Sequence, residues 1–195
     1  MNTLVLEKSA LRKNIAVVRE KAGSADIYGV LTGDGGGAGT VELARLLREE
    51  GIGRFAVAEA EDARALRKAG FVEEEILMLR STLDREVLDR LIDLNVVCTI
   101  GSVDAALALN GAAERRSTVA EAHIQVDTGL GFGGFLAGEP EKIVNIYRSL
   151  PNVALSGIYT QLHAVRSRGQ DAAGPFQAFQ AVLEAVHAAG FETGT

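Results

Sequence analysis

The sequence has no tryptophan, one cysteine, three prolines and three histidines among its 195 residues. The lone Cys98 cannot form a disulfide framework, and its apolar neighbours favour a buried structural thiol over a nucleophile. No apolar run is long enough to span a membrane, and the first residues do not resemble a signal peptide. Basic patches interleaved with aromatic residues are also missing. We therefore expect a soluble, cytoplasmic protein that binds neither membranes nor nucleic acid.

The chain is instead rich in aliphatic residues: apolar residues make up 47% of it, and its formal charge is −6. Its length is that of about one domain, taken as residues 1–195. Short apolar runs rich in β-forming residues alternate with segments of helical period. The predicted strands are Ile27–Leu31, Arg54–Ala58, Ile76–Leu79, Val96–Ile100, Glu121–Asp127 and Ala154–Leu162. The predicted helices are Val41–Glu50, Ala60–Ala69, Asp84–Leu94, Val103–Ala113, Glu139–Ser149 and Pro175–Ala189.

This alternation predicts parallel strands covered by helices and joined by right-handed crossovers. Six such units, with the start of a seventh at Phe191–Thr195, favour a β/α barrel over an open sheet. A complete eight-unit barrel needs about 250 residues, so the predicted fold is an incomplete parallel β/α (TIM-like) barrel of about six to seven units. A strand-like run at Thr3–Leu6 and a helix at Ser9–Lys21 precede the first unit. Ser9 and Ser102 are predicted helix N-caps.

Open sheet edges are the physical consequence of this strand count. Six strands cannot close an eight-strand barrel, and an unpaired parallel edge is a template for further strands. The chain is therefore expected to self-associate through its open edges, to bury them against its own N-terminal strand, or to stay partly molten.

In a parallel barrel, the side chains that carry chemistry lie in the loops that follow the strands. The loops of interest are 32–40, 125–135 and 160–166. The first is rich in glycine, whose free N–H groups can cradle an anion. It lacks the Gly-Lys-Ser/Thr ending of a phosphate loop and the downstream acidic residue of a dinucleotide fingerprint. Either an anion-binding loop or a flexible loop without a ligand fits this pattern.

Asp127 and His163 are the candidate acid–base groups, since each ends a predicted strand. Asp127 can act as a general base, or it can hold its loop by accepting backbone N–H bonds. His163 can act as an acid, a base or a ligand, or it can be a hydrogen-bonded structural residue. His123 and Gln125 point to one face of their strand and Ile124 to the other. The histidines lie too far apart for a metal site, and no catalytic triad pattern is present.

Several stretches resemble the barrel domain of alanine racemases, which are fold-type III pyridoxal-phosphate enzymes. Val30–Gly39 resembles the family signature VVKADAYGHG, and Phe55–Gly70 resembles FAVA followed by EEA and LREAGI. Ile76–Leu79 resembles ILVL, Gln125–Phe135 resembles KVDTGMGRLGF, and Gly157–Leu162 resembles GVxTHF. The matches occur in the family's order and at fitting spacing. The resemblance implies the pyridoxal-phosphate-binding barrel of an amino-acid racemase, which is an isomerase.

This sequence differs from these motifs at the residues to which the resemblance assigns the catalytic and cofactor-binding roles. The signature's lysine, which forms the Schiff base with the cofactor and serves as one racemisation base, is Thr32 here. Its tyrosine, a ligand of the cofactor phosphate, is Gly36, and its histidine is Ala38. The lysine of KVDTGMGRLGF, whose carbamylated form helps to place an arginine, is Gln125. The arginine of that same motif is Phe132.

The last motif departs as well. Its histidine, which stacks on the pyridine ring in the family, is Gln161, and His163 lies two positions further on. Thr32, Gly36, Gln161 and His163 are therefore the pocket positions that the resemblance assigns to the cofactor. The family's second base is a tyrosine of a C-terminal domain that we expect to be missing from this chain.

These replacements predict an inactive, altered or engineered racemase scaffold with an emptied pocket, to which pyridoxal phosphate does not bind covalently. Two alternatives stay open. The barrel mouth can bind a small molecule, such as phosphate or the cofactor itself, without a covalent bond. The chain can also retain some pyridoxal-phosphate-dependent racemisation of alanine.

Overall fold

The computed structural model describes residues 4–162 and 173–194. The chain forms two compact units, residues 1–80 and residues 81–195, and each is described by itself. No helix within the described ranges is long and apolar enough to cross a bilayer.

The first unit is a three-stranded parallel sheet with helices between its strands. The sheet order is β1 (Tyr28–Val30), β2 (Arg54–Val57) and β3 (Glu75–Met78). The register places Gly29 beside Phe55 and Phe55 beside Ile76. Phe55, Val57 and Ile76 are fully buried, and the Phe55 ring meets that of Phe71 edge-on at 5.5 Å. This buried apolar surface stabilises strands that are only three or four residues long. The elements in chain order are α1 (Lys8–Ala22), β1 (Tyr28–Val30), α2 (Thr32–Gly36), α3 (Thr40–Glu49), β2 (Arg54–Val57), α4 (Ala60–Lys68) and β3 (Glu75–Met78).

Helix α1 is attached to this unit largely through charged groups. Ile15 is its one buried residue. The guanidinium of Arg12 lies 2.8 Å from the Glu50 carboxylate, and Arg19 donates to the Glu50 carbonyl oxygen. Exposed ion pairs of this kind add little to stability, because solvent screens both charges. Val17 and Val18 of the same helix are 51% and 48% exposed.

The second unit is a parallel sheet built around the long strand β5 (Ala120–Asp127). Along one edge β5 pairs with β4 (Cys98–Ile100), and the short β6 (Phe135–Leu136) continues that edge where β4 ends. Along the other edge β5 pairs with β7 (Val153–Thr160). Leu109 of the helix after β4 and Ile143 of the helix after β6 are buried against this sheet. The elements are α5 (Arg85–Asp93), β4 (Cys98–Ile100), α6 (Val103–Arg115), β5 (Ala120–Asp127), β6 (Phe135–Leu136), α7 (Pro140–Ser149), β7 (Val153–Thr160) and α8 (Ala173–Ala188).

Every strand and helix predicted between residues 9 and 189 overlaps an observed one, with ends that differ by one or two residues at most. The predicted N-terminal strand is wrong over its described residues, since Leu4–Leu6 pair with no strand and are exposed. The predicted start of a seventh unit, Phe191–Gly194, forms no strand in the structure, although Gly194 lies against the backbone of Ser156 in β7. Phe191 packs instead on the ring of Tyr147, at 5.3 Å between ring centroids.

The structure confirms one of the two predicted N-caps. The hydroxyl of Ser102 accepts the N–H of Ala105 at 3.1 Å, which confirms it as the N-cap of α6. Ser9 is not an N-cap, because α1 begins one residue earlier, with Glu7 in the extended N-cap conformation. The Ser9 hydroxyl donates to the Glu7 carboxylate instead.

Strand β6 has no counterpart among the predicted strands. It follows a glycine-rich loop and is only two residues long, so it carries no periodic signal. Gly134, with φ of 109°, brings it against β5: a Cβ at this position would lie 2.8 Å from the Gln125 carbonyl oxygen. A glycine is therefore required where the loop returns to the sheet.

Candidate functional site

In the first unit, Thr32 lies two residues after the end of β1 and is the first residue of the turn α2. This turn is left-handed, with φ of 64° at Gly33, 54° at Asp34 and 62° at Gly35. Glycine adopts this conformation without a steric penalty, and aspartate is among the residues that tolerate it. Gly36 continues the turn at φ of 68° and is exposed, whereas Thr32 is half-buried.

Hydrogen bonds within this loop occupy N–H groups that an anion would need. Gly35, Gly37 and Gly39 donate their N–H groups to carbonyl oxygens of the same segment, at 2.9–3.0 Å. Asp34 Oδ1 accepts the N–H of Thr40 at 3.1 Å and so fixes the start of α3. These bonds favour a loop held by its own contacts over a cradle for phosphate.

In the second unit, β5 separates an apolar face from a polar one. Ala122, Ile124 and Val126 are each at most 1% exposed. His123 and Gln125 alternate with them and lie on the opposite face, as their spacing predicts. The polar groups of this strand are therefore directed away from the apolar core.

A polar sheet face, defined here as Thr99, His123, Gln125 and Tyr159, extends across β4, β5 and β7. The register pairs Thr99 with His123 and Gln125 with Tyr159. The Tyr159 hydroxyl lies 3.0 Å from Thr99 Oγ1. Burial raises the pKa of Tyr159, and its hydrogen bond with Thr99 lowers that pKa in part. Thr99 and Tyr159 are not recognisable as partners from the sequence, because their contact depends on the strand register.

His123 is buried on this face, at 6% exposure. Its ring lies over Gly157 of β7, where a Cβ would be 2.5 Å from Nε2. An irregularity in the β5–β7 register, next to Ser156, brings Gly157 opposite the histidine. The imidazole therefore fits because β7 has a glycine at this position.

The Asp127 carboxylate holds the loop that follows β5. Asp127 Oδ1 accepts the N–H of Gly129 at 2.8 Å, and both carboxylate oxygens lie 3.1 Å from the N–H of Gly131. Beside it, the hydroxyls of Thr128 and Thr160 lie 3.0 Å apart and join the ends of β5 and β7. Of the two interpretations of Asp127, the contacts support the one in which it caps its loop.

The remaining candidate positions are open to solvent or undescribed. Phe132 is 74% exposed in the loop after β5, and Gln161 is exposed after β7. His163 lies outside the described residues. Within residues 4–162 and 173–194, no three His, Cys, Asp or Glu side chains are placed to hold a metal ion.

No strand end that the structure describes bears a primary amine. The lysines of the chain all lie on helices α1, α4 and α7, at Lys8, Lys13, Lys21, Lys68 and Lys142. Imine formation requires such an amine. In its own unit, Thr32 thus offers only a hydroxyl at the end of β1.

Comparison with known proteins gives a consistent result. The family "Alanine racemase, N-terminal domain" matches residues 6–195. An alanine racemase of Carboxydothermus hydrogenoformans is 34% identical over 185 residues, which are 93% of this chain and 49% of that protein. One of Desulforamulus reducens is 35% identical over 154 residues, which are 77% of this chain and 41% of that protein. The chain spans about half the length of the first of these relatives.

Solved structures show the same fold. The alanine racemase of Clostridium difficile 630 has a TM-score of 0.86 at 24% identity, covering 94% of this chain and 48% of that one. A histidine racemase of Leuconostoc mesenteroides has a TM-score of 0.80 at 21% identity, covering 89% and 46%. Both are parallel β/α barrels of the TIM type, which confirms the predicted fold class. The chain belongs to the alanine racemase N-terminal domain family.

Proposed function

We propose that this chain is a racemase-family barrel that does not perform racemisation and serves as a scaffold with an emptied pocket. The position of the lysines carries this proposal, since all lie on helices while Thr32 follows β1. The family implies pyridoxal phosphate as cofactor, held through an imine to a lysine at the position of Thr32. A threonine hydroxyl cannot form an imine. The residues present therefore do not fit a covalently held cofactor.

Three other polar side chains at the strand ends do not favour the removal of a proton from carbon. Gln125 has no titratable group. The Asp127 carboxylate accepts bonds from Gly129 and Gly131 and so holds its loop. Burial raises the pKa of Tyr159, so its hydroxyl stays protonated at neutral pH. These contacts and protonation states favour structural roles over that of a general base.

Non-covalent binding of a small polar molecule is the second candidate function. The polar sheet face favours it, because Thr99 and Tyr159 hold their hydroxyls 3.0 Å apart beside the amide of Gln125. The hydroxyl and amide groups of this partly buried face can donate hydrogen bonds to a small polar molecule, such as phosphate or the unreacted cofactor. The glycine loop after β1 supports this function less, since its N–H groups bond within the loop.

Reductive trapping with pyridoxal phosphate and borohydride, followed by peptide mapping, tests the first proposal. Thr32→Lys places an amine at the end of β1, and Thr118→Lys places one at an exposed position as a matched control. We expect no stoichiometric label on the wild-type chain and more label on Thr32→Lys than on Thr118→Lys. Stoichiometric label at one wild-type lysine contradicts the proposal. Racemisation of L-alanine, followed by circular dichroism, also contradicts it.

Calorimetry with pyridoxal phosphate and with inorganic phosphate tests the second candidate on the same samples. A saturable heat that is lost in Tyr159→Phe supports binding at the polar sheet face. Tyr147→Phe is the matched control, because the Tyr147 hydroxyl is buried with no hydrogen-bond partner in the described chain. If neither ligand gives a heat, the scaffold function stands alone.

A further inference from the structure

A polar cleft of about 540 Å³ lies where the chain enters strands β1 and β2. Its walls are the C-terminal end of α1, the loop that leads from α1 to β1, and the loop between α3 and β2. All of these residues come from one stretch of the first unit, residues 19–54. Thr32 and its turn follow the other end of β1. The cleft is therefore separate from the candidate site described above.

Arg19 brings a positive charge to one wall of the cleft. Its guanidinium donates to the Glu50 carbonyl oxygen, which is a neutral acceptor. Gly51 makes room for this side chain, since a Cβ at position 51 would lie 3.2 Å from Arg19 Nη2. The Glu50 carboxylate binds Arg12 at 2.8 Å, and no carboxylate in the part of the chain that the structure describes forms an ion pair with Arg19. The backbone therefore holds the Arg19 guanidinium at the cleft without an ion pair.

Arg54 brings a second positive charge from the start of β2. Its guanidinium carbon lies 5.8 Å from the centroid of the Tyr28 ring, on the neighbouring strand. Asp26 pairs with this guanidinium at 3.3 Å, but the Asp26 side chain is 68% exposed, so solvent screens the pair. An anion can therefore approach Arg54 from the solvent.

The charges and the open space of the cleft favour an anionic ligand. Among the described residues that line it, two cations stand against one carboxylate, in a chain whose formal charge is −6. Arginine presents a planar set of N–H donors that fits carboxylate and phosphate oxygens. Gly23 and Gly53 leave space beside these donors, since a Cβ at either position would meet nothing within 4 Å. Ser24 adds a hydroxyl to the lining.

We propose that this cleft binds a small molecule with two oxyanion groups, one of them on Arg19 and the other on Arg54. A volume of about 540 Å³ is in the range of small-molecule sites and exceeds what a single phosphate or carboxylate group fills. Asp26 opposes the approach of an anion, and the cleft is open to solvent. Binding is therefore expected to weaken as salt is added. This inference is independent of the proposed function.

Calorimetry at low ionic strength, with pyrophosphate and with citrate, tests the proposal. We expect Arg19→Gln and Arg54→Gln each to weaken binding roughly tenfold, because each removes a charged donor. Arg45→Gln is the matched control, since Arg45 is exposed on α3 and does not line the cleft. Binding of pyrophosphate alone supports a phosphate ligand, and binding of citrate alone supports a carboxylate ligand. If neither probe binds, or if Arg45→Gln weakens binding equally, the proposal is overturned.

Asp26→Asn gives a second test with the opposite sign. It removes the one carboxylate among the described residues that line the cleft, so we expect tighter binding, which damage to the fold would not produce. Glu73→Gln is its control, because Glu73 is an exposed acid of the same unit outside the cleft. Unchanged or weaker binding to Asp26→Asn overturns the proposal. So does a heat that is lost in Tyr159→Phe but unchanged in both arginine variants, since it places the ligand on the polar sheet face.

Discussion

Asp34 and Asp127 both follow a parallel strand, and both carboxylates accept backbone N–H groups of the loop that comes next. The sequence could not separate this role from that of a general base, because either role requires a carboxylate at a strand end. Gly129 and Gly131, with φ of 111° and 74°, let the backbone turn its N–H groups toward Asp127. The neighbouring glycines were the signal that could have decided between the two roles.

His123 and Gln125 were placed on the correct strand face, since that requires only the period of two. What lies opposite them could not be predicted. The irregularity beside Ser156 shifts the register, so that Gly157 meets His123 and Tyr159 meets Gln125. A register shift of this kind leaves no trace in the apolar pattern.

Gly157→Ala is expected to destabilise the chain, because the new methyl group would lie 2.5 Å from His123 Nε2. Overpacking of this kind costs roughly 1–3 kcal/mol. Chemical denaturation measures the loss, and the NMR signals of the His123 ring report its displacement. Gly138→Ala is the control, since its Cβ would meet nothing within 4 Å. Equal stability of the two variants would show that the ring does not pack on Gly157.

At the scale of elements, apolar runs located the strands because each run contains buried apolar residues. The helix caps and the shortest strand could not be located from the apolar pattern alone. Ser9 and Ser102 both precede apolar periodic segments. Only Ser102 takes the extended N-cap conformation, with φ of −158°, whereas Glu7 takes that position before α1. Strand β6 forms because Gly134 lets its backbone approach that of β5 closely, and the hydrophobic period of the sequence does not reveal this approach.

Ser102→Ala is expected to lower the free energy of unfolding by about 1 kcal/mol, because the N–H of Ala105 loses its acceptor. Ser9→Ala removes the same hydroxyl from an exposed helical site and should stay within about 0.5 kcal/mol of the wild type. Thermal and urea denaturation of both variants give the comparison. A larger loss for Ser9→Ala would mean that the N-cap of α1 is misassigned.

At the scale of the whole molecule, the Cys98 thiol and the Tyr147 hydroxyl stay protonated well above neutral pH. Burial raises the pKa of the Cys98 thiol from 9.0 to about 12. Burial likewise raises the pKa of Tyr147 from 10.0 to about 12. The unfolded chain releases these protons at lower pH than the folded chain does. Stability is therefore complete below pH 9 and is lost as the pH rises toward 12.

Unfolding measured against pH tests this assignment. Between pH 9 and pH 12 the wild-type chain should lose stability faster than Cys98→Ala, by up to about 1.4 kcal/mol per pH unit. Below pH 9 the two curves should run parallel, because the packing that is lost with the Cys98 thiol does not depend on pH. Tyr147→Phe should flatten the curve above pH 10 in the same way. Parallel curves over the whole range contradict a buried, neutral thiol.

The left-handed turn after β1 restricts the amino acids that substitution can introduce at position 36. Position 36 has φ of 68°, where most L-residues are strained by about 1–2 kcal/mol. A lysine at position 32 would restore one group of the racemase signature, but a tyrosine at position 36 would strain the turn. Position 32 is not among the residues with positive φ, so the strain falls on position 36 alone. The backbone of one short turn thus disfavours the signature's tyrosine while it leaves the lysine position free to vary.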